Sequence, residues 1–123
     1  MLNRDQILNR QAGRFETVTV PEWGGDVRLK ALCVRDKAVI DTEMMRVGKL
    51  MRTQDLDAVS ANHNLQLTLV ALSVVDDSGE AMFTLDDVPE LSKLEPQAIR
   101  DLSDAVCILN GFATKAVEDA AKN

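Results

Sequence analysis

The sequence predicts a mostly helical α+β domain, in which an N-terminal β-hairpin packs on a bundle of four to five helices. Apolar and polar residues alternate on both sides of the glycine pair Gly24-Gly25, a pattern typical of a half-buried hairpin. After the hairpin, apolar residues recur at helical spacing instead. The 123 residues suffice for one modest core and are too few for two. Residues 1–123 are therefore expected to form a single domain.

The predicted hairpin has one apolar face, built from both strands. Val18 and Val20 share a face of the incoming strand, and Val27, Leu29 and Ala31 share a face of the outgoing strand. Because a two-stranded ribbon is not stable alone, this face must rest on the helices or on another subunit.

The bend of the hairpin contains Pro21, the only tryptophan, Trp23, and the glycine pair, which supplies the positive φ of a tight return. Pro21 cannot donate a ladder hydrogen bond, so the incoming strand is expected at an edge of the sheet. An exposed strand edge can pair with a second copy of the chain. Val18, Val20 and Trp23 are therefore candidate residues of an oligomer contact.

The chain after the hairpin is predicted to be helical throughout, apart from turns and loops. The segment 63–75 is apolar nearly all round and is expected to form a central helix, whereas the segment 53–62 is predicted to be a loop. The predicted helices after the hairpin run over 35–52, 63–75, 85–94, 96–110 and about 114–121. A short, peripheral helix is predicted before the hairpin, over 3–12.

Local signals predict where two of these helices begin and where the second of them ends. Thr84, with Asp87 three residues later, has the spacing of a helix N-cap. Pro96 suits the first turn of the next helix, where a missing N–H has no consequence. Gly111 is expected to end that helix in a left-handed conformation, with Phe112 folding back onto the last turn.

The helix from Pro96 and the last predicted helix are both amphipathic. In the last helix, Ala116, Val117 and Ala120 face inward, and charged residues face water. The apolar stripe of the helix from Pro96 consists of Ile99, Leu102, Val106 and Leu109.

Charge and composition argue against several classes of partner. The chain has 20 acidic and 14 basic residues and a net charge of −6, so nucleic acid is not an expected partner. Its apolar segments are too short to span a bilayer, and residues 1–6 lack the apolar character of a secretion signal. A soluble, intracellular protein with no membrane partner is expected. Cys33 and Cys107 are predicted to be buried, reduced thiols rather than a disulfide.

Each residue that suggests catalysis or ligand binding also has a structural explanation. His63 is the only histidine and has no partner at metal-ligand spacing, so a solvated or capping role is expected. Residues 76–80 resemble a calcium loop, but the required glycine and glutamate are absent further along, so a turn is predicted. The adjacent acids Asp86 and Asp87 are explained by the dipole of a helix start. The sequence predicts no catalytic residue, no metal site and no cofactor.

Methionines crowd one predicted helix between charged residues. One interpretation is that they fill gaps in the core. The other is that they form an adaptable apolar surface that grips a long, sequence-variable helical partner. The N-terminal pair Ile7-Leu8 is a candidate extension of that surface. The candidate partner-binding residues are Met44, Met45, Leu50, Met51, Ile7 and Leu8.

With these features in view, the chain resembles the tail assembly chaperones of long-tailed bacteriophages. The first matching block is the hairpin sequence Val-Pro-Glu-Trp-Gly-Gly-Asp-Val-Arg at Val20–Arg28. The second is an apolar helix that runs into an acidic turn at Leu69–Gly79, followed by a helix start at Met82–Leu91. The third is Leu109-Asn-Gly111 with the acidic, alanine-rich segment Val117–Asn123.

These blocks cover about two thirds of the chain, and residues 33–60 match only in being helical. The resemblance implies a non-enzymatic protein of a phage or prophage that binds the tape measure protein and keeps it soluble. It also implies recruitment of tail tube protein, self-association into a homo-oligomer, and activity in the host bacterial cytoplasm with absence from the mature virion.

The resemblance further implies a longer product made by a programmed frameshift. Ala121-Lys122-Asn123 would be encoded by GCA-AAA-AAC if the slip sequence A-AAA-AAC were present. This hypothesis requires AAA as the lysine codon and an open frame beyond it, which the nucleotide sequence would show.

Other classes of function stay open beside this one. The chain is also compatible with a generic acidic, oligomerising adaptor or regulatory protein that binds another phage or host protein. An acidic DNA mimic is disfavoured, because acids alternate with Lys and Arg instead of forming single-sign tracts. An enzyme is the least favoured class.

Overall fold

The computed structural model describes residues 1–9 and 14–112, and in that part of the chain five α-helices accompany one three-stranded antiparallel sheet. The predicted α+β, mostly helical class is confirmed. The last predicted helix, at about 114–121, lies outside the described residues. The helices are α1 (Arg4–Leu8), α2 (Val34–Arg52), α3 (Ala58–Ser73), α4 (Val88–Leu91) and α5 (Pro96–Asn110). The strands are β1 (Phe15–Val20), β2 (Gly25–Lys30) and β3 (Val74–Val75).

The predicted hairpin is formed by β1 and β2. Val18 lies opposite Val27 in the antiparallel register, and Val20 and Leu29 on the same face are almost fully buried. A single 3-10 turn over Pro21–Trp23 makes the bend. Gly24 completes it with a φ of +69°, a conformation that glycine adopts without steric cost. The sheet order β1-β2-β3 places β1 at an edge, as the position of Pro21 predicts.

The third strand corrects the prediction that everything after the hairpin is helical. α3 ends at Ser73, and Val74 and Val75 pair with β2. The buried Ser73 hydroxyl donates a 2.7 Å hydrogen bond to the backbone carbonyl of Lys30 in β2. β-branched valines favour extended backbone, but only the neighbouring strand makes that conformation a strand, so helical periodicity could not reveal it.

The start of α3 corrects a second prediction, because the segment 53–62 is not all loop. α3 begins at Ala58, and the Asp57 side chain accepts a 2.7 Å hydrogen bond from the Ser60 amide. The first turns of the helix are largely exposed, so they carry little of the apolar periodicity on which the prediction depended. His63 lies inside α3 and is exposed, so it is solvated and does not cap the helix.

The two cysteines differ in their surroundings. Both are free thiols, and Cys107 is buried, as predicted, but Cys33 is exposed. Cys33 precedes α2, where the Asp36 carboxylate accepts hydrogen bonds from the Cys33 amide and thiol at 3.1 and 3.3 Å. The prediction for Cys33 was wrong because a helix start at the surface, not an apolar face, surrounds it.

The predicted helix signals around α4 and α5 are confirmed. The Thr84 amide donates a hydrogen bond to the Asp87 carboxylate, and the Thr84 hydroxyl accepts one from the Asp86 amide. The segment that follows is a 3-10 turn (Leu85–Asp87) leading into the short α4. α5 begins at Pro96 and ends before Gly111, which has a φ of +71°. The Phe112 amide then donates a 2.8 Å hydrogen bond to the Cys107 carbonyl, which folds the chain back over the last turn.

The core lies between the inner face of the hairpin and the helices α3 and α5. α3 contacts α2, α4 and α5, which confirms its predicted central position. α2 buries only Ile40 and Val47, and α1 buries none of its residues. The buried apolar residues of α3 and α5 are Ala61, Leu67, Leu69, Val70, Ala71, Ala98, Ile99, Leu102, Val106, Cys107 and Leu109.

Truncation of Leu102 tests this core. Leu102 is fully buried in α5, so Leu102→Ala is expected to lower the free energy of unfolding by about 2–5 kcal/mol through lost burial and a residual cavity. Ile108 on the same helix is exposed, so Ile108→Ala is expected to change it by less than about 0.5 kcal/mol. Urea denaturation of both variants measures the difference, and equal effects would contradict the placement of Leu102.

The Asp57 cap predicts a pH dependence. Hydrogen bonds from Ser60, above all from its amide, lower the pKa of the Asp57 carboxyl in the folded chain. A lowered folded-state pKa stabilises the fold above the unfolded value of about 3.9, and that stabilisation is lost as the pH falls through the folded-state pKa. Asp57→Ala should therefore lower the melting temperature at pH 7. The difference in melting temperature between this variant and the unaltered chain should become smaller as the pH falls below about 3.9.

Asp57→Asn is the matched control for this experiment. Asparagine caps helices as well as aspartate does but does not titrate, so this variant should keep most of the stability at pH 7 and lose the pH dependence. A destabilisation by Asp57→Ala that is the same at pH 7 and pH 2 would contradict the role of the ionised carboxylate.

Candidate interaction surfaces

The predicted methionine cluster lies on the outside of α2. The side chains of Met44, Met45 and Met51 are 52%, 75% and 41% exposed. The apolar residues of α2 therefore divide into two groups: Ile40 and Val47 face the core, and the methionines do not. Of the two interpretations of this cluster, the structure matches exposed surface and not core filling. We call the exposed side chains of Met44, Met45 and Met51 the methionine surface.

The geometry of a helix explains this division. Successive residues are rotated by about 100°, and the side of α2 that meets α3 is centred on Ile40 and Val47 with Glu43 beside them. Met44 and Met51 lie at the margin of that side, and Met45 points further away. Leu50 is half-buried, and its carbonyl accepts the Asp55 amide at 2.8 Å. It therefore secures the end of α2 and contributes less to the exposed surface.

Charged pairs border the methionine surface. Arg46 pairs with Glu43, and Lys37 pairs with Asp41, each within one turn of α2. The hydrogen bond from Arg46 to the Glu43 carboxylate raises the pKa of Arg46 above its usual value. Exposed pairs of this kind contribute little to stability. An apolar patch rimmed by charged residues is, however, typical of a surface that binds another macromolecule.

A hollow of about 270 Å³ lies between α2, α3 and the segment that leads into α4. Glu43 and Arg46 line one side, and Leu85 and Val88 line the other. The side chain of Leu85 is exposed. The side of the hollow formed by α2 and α3 is therefore charged and polar, with Asn64 and Thr68 beside Glu43 and Arg46.

The other candidate partner-binding residues, Ile7 and Leu8, are both exposed on α1. A capping box between Asn3 and Gln6 holds this short helix, with hydrogen bonds of 3.0 and 2.9 Å. Two adjacent exposed apolar residues with no part in the core are available to a partner.

The candidate oligomer residues of the hairpin divide between core and surface. Val20 is 1% exposed and Val18 is half-buried, so their side chains face the helices and not a second subunit. Only the backbone of β1, at the edge of the sheet, is available for edge pairing. Trp23 is 37% exposed, and its indole N–H donates a 2.8 Å hydrogen bond to Glu95. Trp23 therefore ties the hairpin bend to the start of α5.

A groove along α3 and α5 has no counterpart in the sequence predictions. Its volume is about 920 Å³, and the connection between α4 and α5 also lines it. Buried side chains, including Leu69, Ile99 and Cys107, form its floor, and the exposed His63 and Arg100 stand at its rim. Burial, and secondarily the nearby Asp104, raises the pKa of the Cys107 thiol. The only sequence signal for the groove was the polar residues of α3 within an otherwise apolar helix.

The described residues offer little to a metal ion. Within 1–9 and 14–112, no group of three or more His, Cys, Asp or Glu residues is arranged to hold one. In the same part of the chain, no helix is both long enough and apolar enough to cross a membrane.

Comparison with known proteins gives a structural match without a sequence match. No protein-family model and no curated protein matches the sequence. The solved structure of the bacteriophage HK97 tail assembly chaperone is similar to this one, with a TM-score of 0.58 and 19% sequence identity. The match covers 85% of this chain and 97% of that chain. The two proteins share a fold.

Proposed function

We propose that this protein is a phage tail assembly chaperone, which binds the tape measure protein, keeps it soluble and helps to recruit tail tube subunits. The observation that carries the proposal is the shared fold with the HK97 tail assembly chaperone over nearly the whole of both chains. The sequence blocks described above support the same assignment independently of that comparison. The role requires no catalytic residue and no cofactor, and it would be carried out in the host bacterial cytoplasm and leave the protein outside the mature virion.

The methionine surface is the proposed site for the tape measure protein. Methionine is unbranched and polarisable, so one surface of methionines can pack against helices of differing sequence. Met44, Met45 and Met51 are exposed on one helix, with Leu50 at its margin. Ile7 and Leu8 would add a second contact of the same chemistry. Covering the apolar stripe of a partner helix in this way prevents that stripe from aggregating.

Repetition compensates for the small size of this surface. A long helical partner offers many similar stripes, so many copies can bind along it. If neighbouring copies also pair through the edge of β1 and contact one another at Trp23, each added copy binds with the advantage of a raised effective concentration. The net charge of −6 helps to keep such a complex dissolved.

Co-expression with the tape measure protein tests the proposal. The double variant Met44→Asp/Met45→Asp should return the tape measure protein to the insoluble fraction. Burying one methionine contributes about 1.5–3 kcal/mol, so two charged replacements should weaken binding at least about tenfold. The measurement is the soluble fraction of tape measure protein after centrifugation, with the Kd of the purified complex where it can be prepared.

Met82→Asp is the matched control, because Met82 is also exposed but lies in the segment before α4, outside α2. It should leave the soluble fraction unchanged. If the unaltered chain does not raise the solubility of the tape measure protein, the chaperone assignment fails. That result would favour the alternative function, an acidic adaptor or regulatory protein. If the unaltered chain and the double variant raise the solubility of the tape measure protein equally, the assignment stands and the methionine surface is not the site.

A further inference from the structure

One cation lies inside the methionine surface instead of at its border. Residues three and four positions apart are neighbours on a helix, so the neighbours of Gly48 on the surface of α2 are Met44, Met45, Met51 and Arg52. Arg52 is exposed in the last turn of α2, and its side chain turns back over Gly48. Its Nη1 atom lies 3.5 Å from the position that a Cβ atom would take on Gly48. The guanidinium group is therefore placed among the three methionines.

Gly48 makes this position of the guanidinium group accessible from outside. Glycine inside a helix destabilises that helix relative to alanine. The φ of Gly48 is not in the left-handed region, and a Cβ atom there would make only an ordinary van der Waals contact with Arg52. Neither the backbone nor the packing of the described residues requires a glycine here. The missing side chain instead leaves room for a partner to approach the helix between the methionines.

The charge of Arg52 has no carboxylate partner within residues 1–9 and 14–112. The Asp55 carboxylate, which follows the end of α2, accepts a 2.7 Å hydrogen bond from the Thr53 hydroxyl. The ion pairs of that part of the chain involve other cations, namely Arg4, Lys30, Lys37, Arg46 and Lys93. An unpaired arginine among exposed apolar side chains is available to a group on a partner.

The chemistry of the guanidinium group indicates which group that is. Its planar set of N–H donors matches the two oxygens of a carboxylate, and arginine is enriched in the centres of protein interfaces. A phosphate group has matching oxygens as well. The net charge of −6 disfavours a polyanion such as nucleic acid, and the methionines around Arg52 favour an apolar partner that carries a single acid.

We propose that the methionine surface selects helical segments whose apolar stripe contains an aspartate or a glutamate, and that Arg52 pairs with that carboxylate. The inference rests on the proposed function, since it names the feature that the surface would recognise in the tape measure protein. Methionines pack against stripes of many sequences and do not discriminate among them. A charge pair inside the contact does discriminate, because it fixes the register and direction of the bound helix.

The cost of burying an unpaired charge strengthens this selection. A fully apolar stripe on the methionine surface would remove water from the Arg52 guanidinium group without replacing its hydrogen bonds. A stripe that contains lysine would add repulsion. Lys49 is also exposed, three residues before Arg52, and it attracts an acidic stripe and repels a basic one. The surface therefore disfavours both alternatives.

Synthetic helices of about 20 residues test the selection. Three peptides share one apolar stripe: the first has glutamate in the middle of the stripe, and the second has glutamine there. The third also has glutamine there and carries its glutamate on the opposite face. Fluorescence anisotropy should show that the full chain binds the first peptide at least about tenfold more tightly than either of the others. The first and third peptides have equal net charge, so general attraction cannot produce this difference. Equal affinities, or no measurable binding of the first peptide, would overturn the proposal.

Variants of the chain test the assignment of Arg52. Arg52→Gln should reduce the preference for the first peptide to less than about twofold. The matched control is Arg100→Gln, which removes an exposed arginine of α5 and should keep the full preference. Circular dichroism of both variants compares their folds with that of the unaltered chain. A preference that survives Arg52→Gln in a folded chain would show that another group holds the carboxylate.

A second copy of the chain is the competing occupant, because its α2 carries Asp41 one turn before Met45. Sedimentation velocity of the unaltered chain and of Asp41→Asn, each with and without the first peptide, separates the two. A dimer that Asp41→Asn dissociates and that the peptide does not displace would overturn the proposal.

The peptide experiment and the co-expression experiment fail independently. If the peptide preference is present and the tape measure protein stays insoluble, the proposed function fails and the selection of a carboxylate stands. If the tape measure protein is kept soluble and the three peptides bind equally, the proposed function stands and the present inference fails.

Discussion

The structure depends on the need to cover α3 on every side. Its middle section is apolar around the whole helix, and Leu67, Leu69, Val70 and Ala71 are all buried there. No single neighbour can cover such a helix, because one packed element shields only one face. α2, α4, α5 and the sheet each take a part of it. The other elements are therefore arranged around α3, and each of them buries a part of its apolar surface.

The sheet is held by the same helices that it covers. A hairpin of two short strands is not stable alone in water, and here β3 adds a third strand directly at the end of α3. The hydrogen bond from Ser73 to the Lys30 carbonyl joins helix and strand at that junction. The side chain of Arg14 donates a 2.6 Å hydrogen bond to the Leu109 carbonyl at the end of α5. The hairpin is therefore hydrogen-bonded to the C-terminal ends of α3 and α5.

α2 covers only one face of α3, so α2 itself has one buried side and one exposed side. α2 covers one face of α3 through Ile40 and Val47, and nothing in the described residues covers its methionines. An exposed apolar surface on a rigid helix, bordered by charged pairs, suits weak binding repeated along an extended partner more than tight binding at a single site. The chaperone proposal agrees with this physical character.

The sequence alone was sufficient for features that depend on near neighbours. The alternation around Gly24, the capping pair Thr84 and Asp87, and the limits of α5 at Pro96 and Gly111 were predicted correctly, because backbone conformation and capping involve residues within about four positions. The stripe of α5 was also predicted correctly, because strong helical periodicity determines a buried face. The sequence likewise identified the methionines as a cluster, without determining which way they face.

The tertiary structure decided what depends on distant partners. Val74 and Val75 become a strand only because β2 lies beside them. Ile40 and Met44 are both apolar and one turn apart, and only the position of α3 buries the first and exposes the second. The groove beside Cys107 is lined by residues of α3, of α5 and of the connection between α4 and α5, which are far apart in the sequence. Periodicity shows that a helix has an apolar side, but the packing of other elements decides how much of that side is covered.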